Sequence, residues 1–234
     1  MVPGRKLAGL VGLVAAVYVL MLRPRLVRWG ATDEEVARPY PGADLVPEGQ
    51  RVSTMAVTID APSAAVWPWL VQMGWGRAGW YSWDRLDNGG RPSARELHPE
   101  WQQLSVGDVL PAWSPGGPVD AWQVAALEPG RFLGLRGLTD LRGRVLDPAR
   151  PRPPAYVEGL WGFLLEEEGE PGRTRLVVGG YQTIRPRWLE RLLDYWFYPP
   201  VHWIMQVRQF ADLKRNAEAQ RDPRPDVYTD TLGR

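Results

Sequence analysis

The chain contains no cysteine. That excludes a disulfide, a thiolate metal site and a cysteine nucleophile, and it leaves the redox compartment undecided. Its two histidines, His98 and His202, stand far apart in sequence, so no zinc ligand set is expected. Lysine is almost missing, with only Lys6 and Lys214. The arginine preference is one that a GC-rich coding sequence produces unaided, and it carries no functional weight. The net charge of +1 gives no electrostatic case for a nucleic-acid partner. No P-loop, G-x-S-x-G elbow or His-Glu-x-x-His is present. Gly74-Trp75-Gly76-Arg77-Ala78-Gly79 does match G-x-G-x-x-G. A dinucleotide fingerprint needs a strand before it and a helix after it. Here the preceding segment has helical spacing and no βαβ unit follows, so a glycine-rich turn is expected instead. No cofactor and no metal are expected.

What the chain has in excess is tryptophan, 13 against 4 phenylalanines. Trp67 to Asp84 concentrates five of them with three glycines, Arg77 and Asp84. Trp needs a large apolar site and a partner for its N–H, whereas neighbouring glycines let backbone turn or approach closely. The block therefore reads as the wall and rim of a concave site for an apolar small molecule.

Leu7 to Leu22 is free of charge, with Arg5 and Lys6 before it and Arg23, Arg25 and Arg28 after it. As a helix it extends about 24 Å, short of a ~30 Å hydrocarbon core, but Val2, Leu26 and Trp29 lengthen it and Arg23 can snorkel. No small-x-small site follows Leu22, which favours an uncleaved single-pass anchor over a cleaved signal peptide or a buried helix. The slight arginine excess after the span places the main domain on the cytoplasmic side of the cell membrane. The expected organisation is an anchor over 1–28, a linker over 29–50, a folded domain over 51–220 and a disordered tail over 221–234. In the linker, Thr32 and Glu35 form a minimal capping box.

Within the domain, Val52 to Ile59 alternates with period two and predicts a half-buried strand. Pro62 opens a helix through Val66, Leu70 and Met73, which Pro68 should bend or interrupt. Ser82 is placed to N-cap a short helix over Trp83 to Asp87. A strand is expected over Val106 to Ala112, a hairpin over Ala121 to Arg136, an exposed insertion over Leu138 to Ala155, and a second hairpin from Glu158 to Thr183. Trp188 onward has helical spacing, broken by Pro199-Pro200, where a second helix should begin. The aromatics Trp188, Trp196, Phe197, Tyr198 and Trp203 are expected to close the core, the alternative being a bilayer surface beside the anchor. The pattern is α+β: an antiparallel sheet wrapped on a long C-terminal helix, with a cavity between them.

Ile59-Asp60-Ala61-Pro62, Val66-Trp67-Pro68-Trp69-Leu70, Gln72-Met73-Gly74, Arg77, Gly79 and Tyr81-Ser82-Trp83-Asp84 resemble the START-like or SRPBCC superfamily, in a membrane-anchored bacterial branch. That superfamily includes polyketide cyclase/dehydrase-like proteins and relatives of plant pollen allergens. Pro99-Glu100-Trp101-Gln102, Val106-Gly107-Asp108 and Ala126-Leu127-Glu128-Pro129-Gly130 are similar to its later landmarks. The resemblance spans Arg51 to Ala219 and implies a helix-grip fold with a hydrophobic cavity. It implies no single activity, because the superfamily hosts cyclases, lipid carriers, quinone binders and co-chaperones.

The expected ligand-binding residues are Trp69, Gln72, Met73, Arg77, Trp80, Tyr81, Trp83, Asp84 and His202. Asp84, Tyr81 and His98 are the candidates for acid–base catalysis. The bland alternative is that Arg77 pairs with Asp84 and that Tyr81 satisfies a backbone carbonyl. Three functions stay open: a membrane-tethered binder of a lipid, isoprenoid or polyketide-like molecule; a cyclase or dehydratase on a hydrophobic substrate; and a scaffold with Trp75, Trp80 and Trp83 turned outward to a partner. Oligomeric state stays open as well.

Overall fold

The computed structural model describes residues 3–114, 117–169 and 172–221. Residues 222–234 of the expected tail, and the middle of the turn after Glu168, lie outside them, while residue 221 ends the last helix. Helix α1 runs over 3–27, with a π-helical turn at Tyr18–Leu22 just before Pro24. A short helix α2, Asp33–Ala37, follows, and its capping box is formed: Glu35 N–H donates to Thr32 Oγ1, and Thr32 N–H to Glu35 Oε2. Then come β1 (Gln50–Ile59), α3 (Ser63–Val71), α4 (Asp84–Asp87), β2 (Val109–Ser114), β3 (Gly117–Glu128), β4 (Phe132–Thr139), β5 (Tyr156–Glu167), β6 (Thr174–Arg185) and α5 over 187–221.

The six strands form one antiparallel sheet in the order β1-β6-β5-β4-β3-β2. Strand alternation sorts side chains as the sequence pattern requires. Met55, Ile59, Phe163, Leu165, Leu176 and Val178 face the main core with α3 and α5. Ala56, Leu164 and Val177 face the opposite side, where Tyr40 and Phe132 cover them. The segment from Ala31 to Gly49 lies against that outer face: Tyr40 and Val46 are buried, and Glu35 pairs with Arg175 at 2.7 Å.

Three local expectations are corrected. Pro68 does not interrupt α3, which runs on to Val71. Only the bond from position 68 to the Ala64 carbonyl is forfeited, and the flanking Trp69 and Leu70 are locked into the core. Pro199-Pro200 does not separate two helices either; α5 is continuous, with a π-helical turn at Leu193–Phe197 directly before the prolines. The wider turn relieves the clash of a proline ring with the carbonyl four residues back. Trp83, not Ser82, occupies the N-cap of α4, because the Ser82 hydroxyl donates instead to the Met205 carbonyl at 3.1 Å.

Candidate functional site

A cavity of about 280 Å³ lies between β5–β6 and the N-terminal half of α5. Its floor is opened by glycines. The β5–β6 ladder pairs Gly159 with Gln182 and Gly162 with Gly179, and is interrupted between them. There Gly180 approaches the opposite strand so closely that a Cβ would lie 1.7 Å from the Leu160 carbonyl oxygen. Gly159, Gly179 and Gly180 all line the cavity, so the sheet presents bare backbone where another sheet would present side chains. The walls are Val52, Leu160, Trp122 and Trp161 from the sheet, with Val201 and Met205 from α5.

Part of the polar lining is one helical row, Tyr198, His202, Gln206 and Gln209, spaced about one turn apart along α5, joined by Ser53, Ser82, Asp87, Tyr181 and Gln182. Tyr198 stacks on His202, with ring centroids 4.8 Å apart, and its hydroxyl bonds to Ser53. Gln206 Nε2 donates to Gln209 Oε1 at 2.8 Å, and Gln209 Nε2 donates to the Trp80 carbonyl at 2.9 Å. Four polar atoms of lining residues are buried without a hydrogen-bond partner: His202 Nε2, Gln206 Oε1, Trp161 Nε1 and Asp87 Oδ1. Buried polar groups are nearly always paired, and here the open bonding positions all face one cavity, where water or a bound molecule can meet them.

Electrostatics follow from burial. His202 is pushed down to about 4 by desolvation, so its imidazole is neutral near pH 7, with one donor and one acceptor nitrogen. Burial, reinforced by Asp84, raises the Asp87 carboxyl to about 7. Asp194 is raised by burial and Glu190 to about 6, and it accepts a bond from Gln182 Nε2 at 2.7 Å.

The tryptophan-rich block stands behind this cavity. Trp69, Gln72, Met73, Trp80 and Tyr81 are buried in the main core. Gln72 Nε2 donates to the Tyr81 hydroxyl at 2.6 Å, while Gln72 Oε1 accepts from the His98 N–H at 3.0 Å. Trp69 packs edge-on against Tyr81, and Trp80 packs on Trp161, which does line the cavity. Arg77 does not meet Asp84; it donates to the Val71 and Trp101 carbonyls, each at 3.0 Å. Asp84 accepts instead from the Ser93 hydroxyl at 2.7 Å and the Ser93 N–H at 3.1 Å. The Gly74–Gly79 motif is a tight turn whose two ends exchange backbone bonds. His98 sits in the loop before Pro99, 3.3 Å from Glu100 and against Trp101. Trp83 is exposed and donates to the Ile204 carbonyl. Of the expected binding residues, His202 lines the cavity; from the block and the helix after it, only Ser82 and Asp87 do. Among the described residues, no group of three His, Asp or Glu is placed to hold a metal.

Sequence reasoning missed Trp122, Trp161, Tyr198, Gln206, Gln209 and the glycine floor. Two signals were available: Gly179-Gly180 inside a strand, and a polar row recurring every turn through an otherwise aromatic helix.

No protein-family model and no curated protein sequence matches the chain. Solved structures similar to it include a Polyketide_cyc-like protein from Corynebacterium glutamicum, at 15% identity and a TM-score of 0.36, covering 76% of this chain and 98% of that one. A protein from Arthrobacter aurescens overlaps at 13% identity and a TM-score of 0.40, covering 78% and 92% respectively. One from Mesorhizobium loti overlaps at 19% and 0.37, covering 70% and 95%. The α+β assignment itself rests on the strand order and the closing helix.

Proposed function

We propose that this protein binds a small, largely apolar molecule carrying a hydroxyl or carbonyl group in the cavity beneath α5, while α1 tethers it to a membrane. The observation that carries the reading is the set of unpartnered polar atoms on apolar walls. An oxygen function on the ligand can donate to Gln206 Oε1 and accept from Trp161 Nε1, leaving the rest of the molecule against Leu160, Val201 and Met205. The volume sits at the low end of small-molecule sites, which favours an isoprenoid or a compact polyketide-like ring system over a full two-chain lipid. The tether is supported by the stretch Gly9–Val27, with a mean hydropathy of 1.8, in which no residue is fully buried. The arginines that follow it favour a cytoplasmic domain.

Native mass spectrometry of the full chain from gentle detergent tests this. The expected result is a retained apolar alcohol, ketone or acid, which Gln206→Leu releases. Repeated recovery of empty protein, with no isoprenoid alcohol or aromatic ketone bound from an added panel, overturns it. A second reading, a cyclase or dehydratase, is favoured by one observation: the cavity-lining Asp87 has a carboxyl poised near 7, suited to proton transfer. It requires that Asp87→Asn abolish turnover while leaving ligand retention intact.

A further inference from the structure

Over its N-terminal half, α5 is built inside out. The row that faces the interior is polar, while the opposite face shows Trp188, Leu192, Trp196, Phe197, Val201 and Ile204 to the outside. Trp188 is 67% exposed, Phe197 59% and Val201 62%. A water-facing helix normally carries the reverse pattern, and large apolar side chains exposed on successive turns of one helix mark an interaction site.

The face is continuous with α1. The Tyr18 ring stacks on Trp196 with centroids 5.1 Å apart, and the Arg23 guanidinium lies 4.4 Å from the centre of the Tyr195 ring. The Tyr18 hydroxyl donates to the Tyr195 carbonyl at 2.9 Å and reaches the Trp196 carbonyl at 3.3 Å. Those are the two carbonyls that Pro199 and Pro200, lacking N–H groups, cannot serve in the helix.

The contact also sets a depth. Arg23, Arg25 and Arg28 mark where α1 leaves the hydrocarbon, and Tyr18 lies five residues before Arg23, about 7 Å deeper at ~1.5 Å per residue. Trp196, packed on Tyr18, is held below the headgroups at the depth where amphipathic surface helices sit, about 5–10 Å into the boundary. The exposed Arg191 on the same turns suits anionic headgroups.

We infer that the apolar face of α5 inserts into the headgroup–acyl boundary of the bilayer that α1 crosses, so that the helix closing the cavity is itself a membrane-embedded surface. Val201 belongs both to this face and to the cavity lining, which brings the cavity wall to the lipid. The inference rests on the reading of α1 as a membrane span.

The absence of native cysteine makes the test clean. Full-length Phe197→Cys, Val201→Cys, Leu13→Cys and the loop variant Arg142→Cys are spin-labelled and reconstituted in vesicles of four parts phosphatidylcholine to one of phosphatidylglycerol. Collision with oxygen is compared with collision with a water-soluble nickel chelate. Oxygen should dominate severalfold at 197 and 201 and still more at 13, while nickel dominates at 142. Nickel dominance at 197 and 201, with oxygen still dominant at 13, overturns the docking but leaves the anchor. Nickel dominance at 13 overturns the anchor, and the docking with it. Labels at 197 and 201 shielded from both reagents and broadened by a neighbouring label show a second copy on the face, which also overturns the inference.

Discussion

The two halves of α5 are one helix under opposite rules. Past Gln209 its inward face is mainly apolar: Phe210, Leu213 and Ala217 are fully buried in the main core, Trp29 stacks on Phe210, and the buried polar residues are Asp212 and Asn216. Outward-facing Lys214 pairs with Glu218 at 2.8 Å, and Arg215 with Asp212 at 2.9 Å. Before Gln206 the cavity-facing row is polar and most of the large apolar side chains are exposed, while Trp203 packs against the main core. The C-terminal half is thus a stability element that contributes by removing apolar surface from water. The N-terminal half gives up that contribution twice, by burying unpaired polar atoms and by exposing aromatics. What the sheet core gains at one end of the helix allows a site to be kept at the other.

The sharpest way to break the comparison is to truncate each half in turn. Phe210→Ala should cost about 3–5 kcal/mol, as for other buried aromatics, seen as a large drop in melting temperature. Phe197→Ser, on the outer face of the other half, should change stability by no more than about 0.5 kcal/mol while lowering the oxygen accessibility of a spin label at position 201 in vesicles. Equal destabilisation by both would erase the distinction.

Gly180→Val tests the floor that makes the inverted half possible. The added side chain collides with the Leu160 carbonyl, so the variant should unfold or shift strand register, detectable as lost amide protection along β5 and β6.

A smaller effect follows from protonation. His202 is held at about 4 in the fold against an ordinary value near 6.5, so the unfolded chain binds the extra proton between those limits. Stability from this group is complete above 6.5 and is lost as pH falls toward 4. Asp87, raised to about 7, and Asp194, raised to about 6, work in the opposite direction: their contribution is complete below about 4 and lost as pH rises through those values. The net slope therefore partly cancels, and single variants separate it. Between pH 7 and pH 4, the urea midpoint of His202→Gln should fall less than that of the unaltered chain. That of Asp87→Asn should fall more. Parallel curves would remove the buried-imidazole assignment.

The mildest change is Tyr18→Phe, which deletes one hydroxyl. It should cost about 0.5–1.5 kcal/mol locally, read as faster hydrogen exchange over 193–199 with the rest of α5 unaffected.

The architecture was legible from the sequence where the signal is periodic. Met55-Ala56-Val57 and Leu176-Val177-Val178 declare their faces by alternation alone, and the turn Glu128 to Arg131 closes its hairpin with Gly130 at φ 74°. The site was harder to see, for a physical reason. Trp67 to Asp84 has the composition of a pocket wall, but composition does not say which side of a wall is empty. Here Gln72, Tyr81 and His98 satisfy one another, and Trp80 supports Trp161 from behind. The hollow is made by what is missing, the side chains at 159, 179 and 180, and only strand pairing places those glycines under α5. Prolines misled in the same way: at Pro68 and Pro199 the local cost is real, but core packing in one case and a π-helical turn in the other absorb it.

The hydroxyl of Tyr18 gives the leading helix a role inside the fold. A fragment starting at residue 29 would keep every strand and all of the main core, yet it would leave the Tyr195 and Trp196 carbonyls facing solvent beside a double proline. Its closing helix would be hinged where the intact chain is clasped. Hydrogen exchange measured on such a fragment would then report a looser α5 than the one the full chain carries.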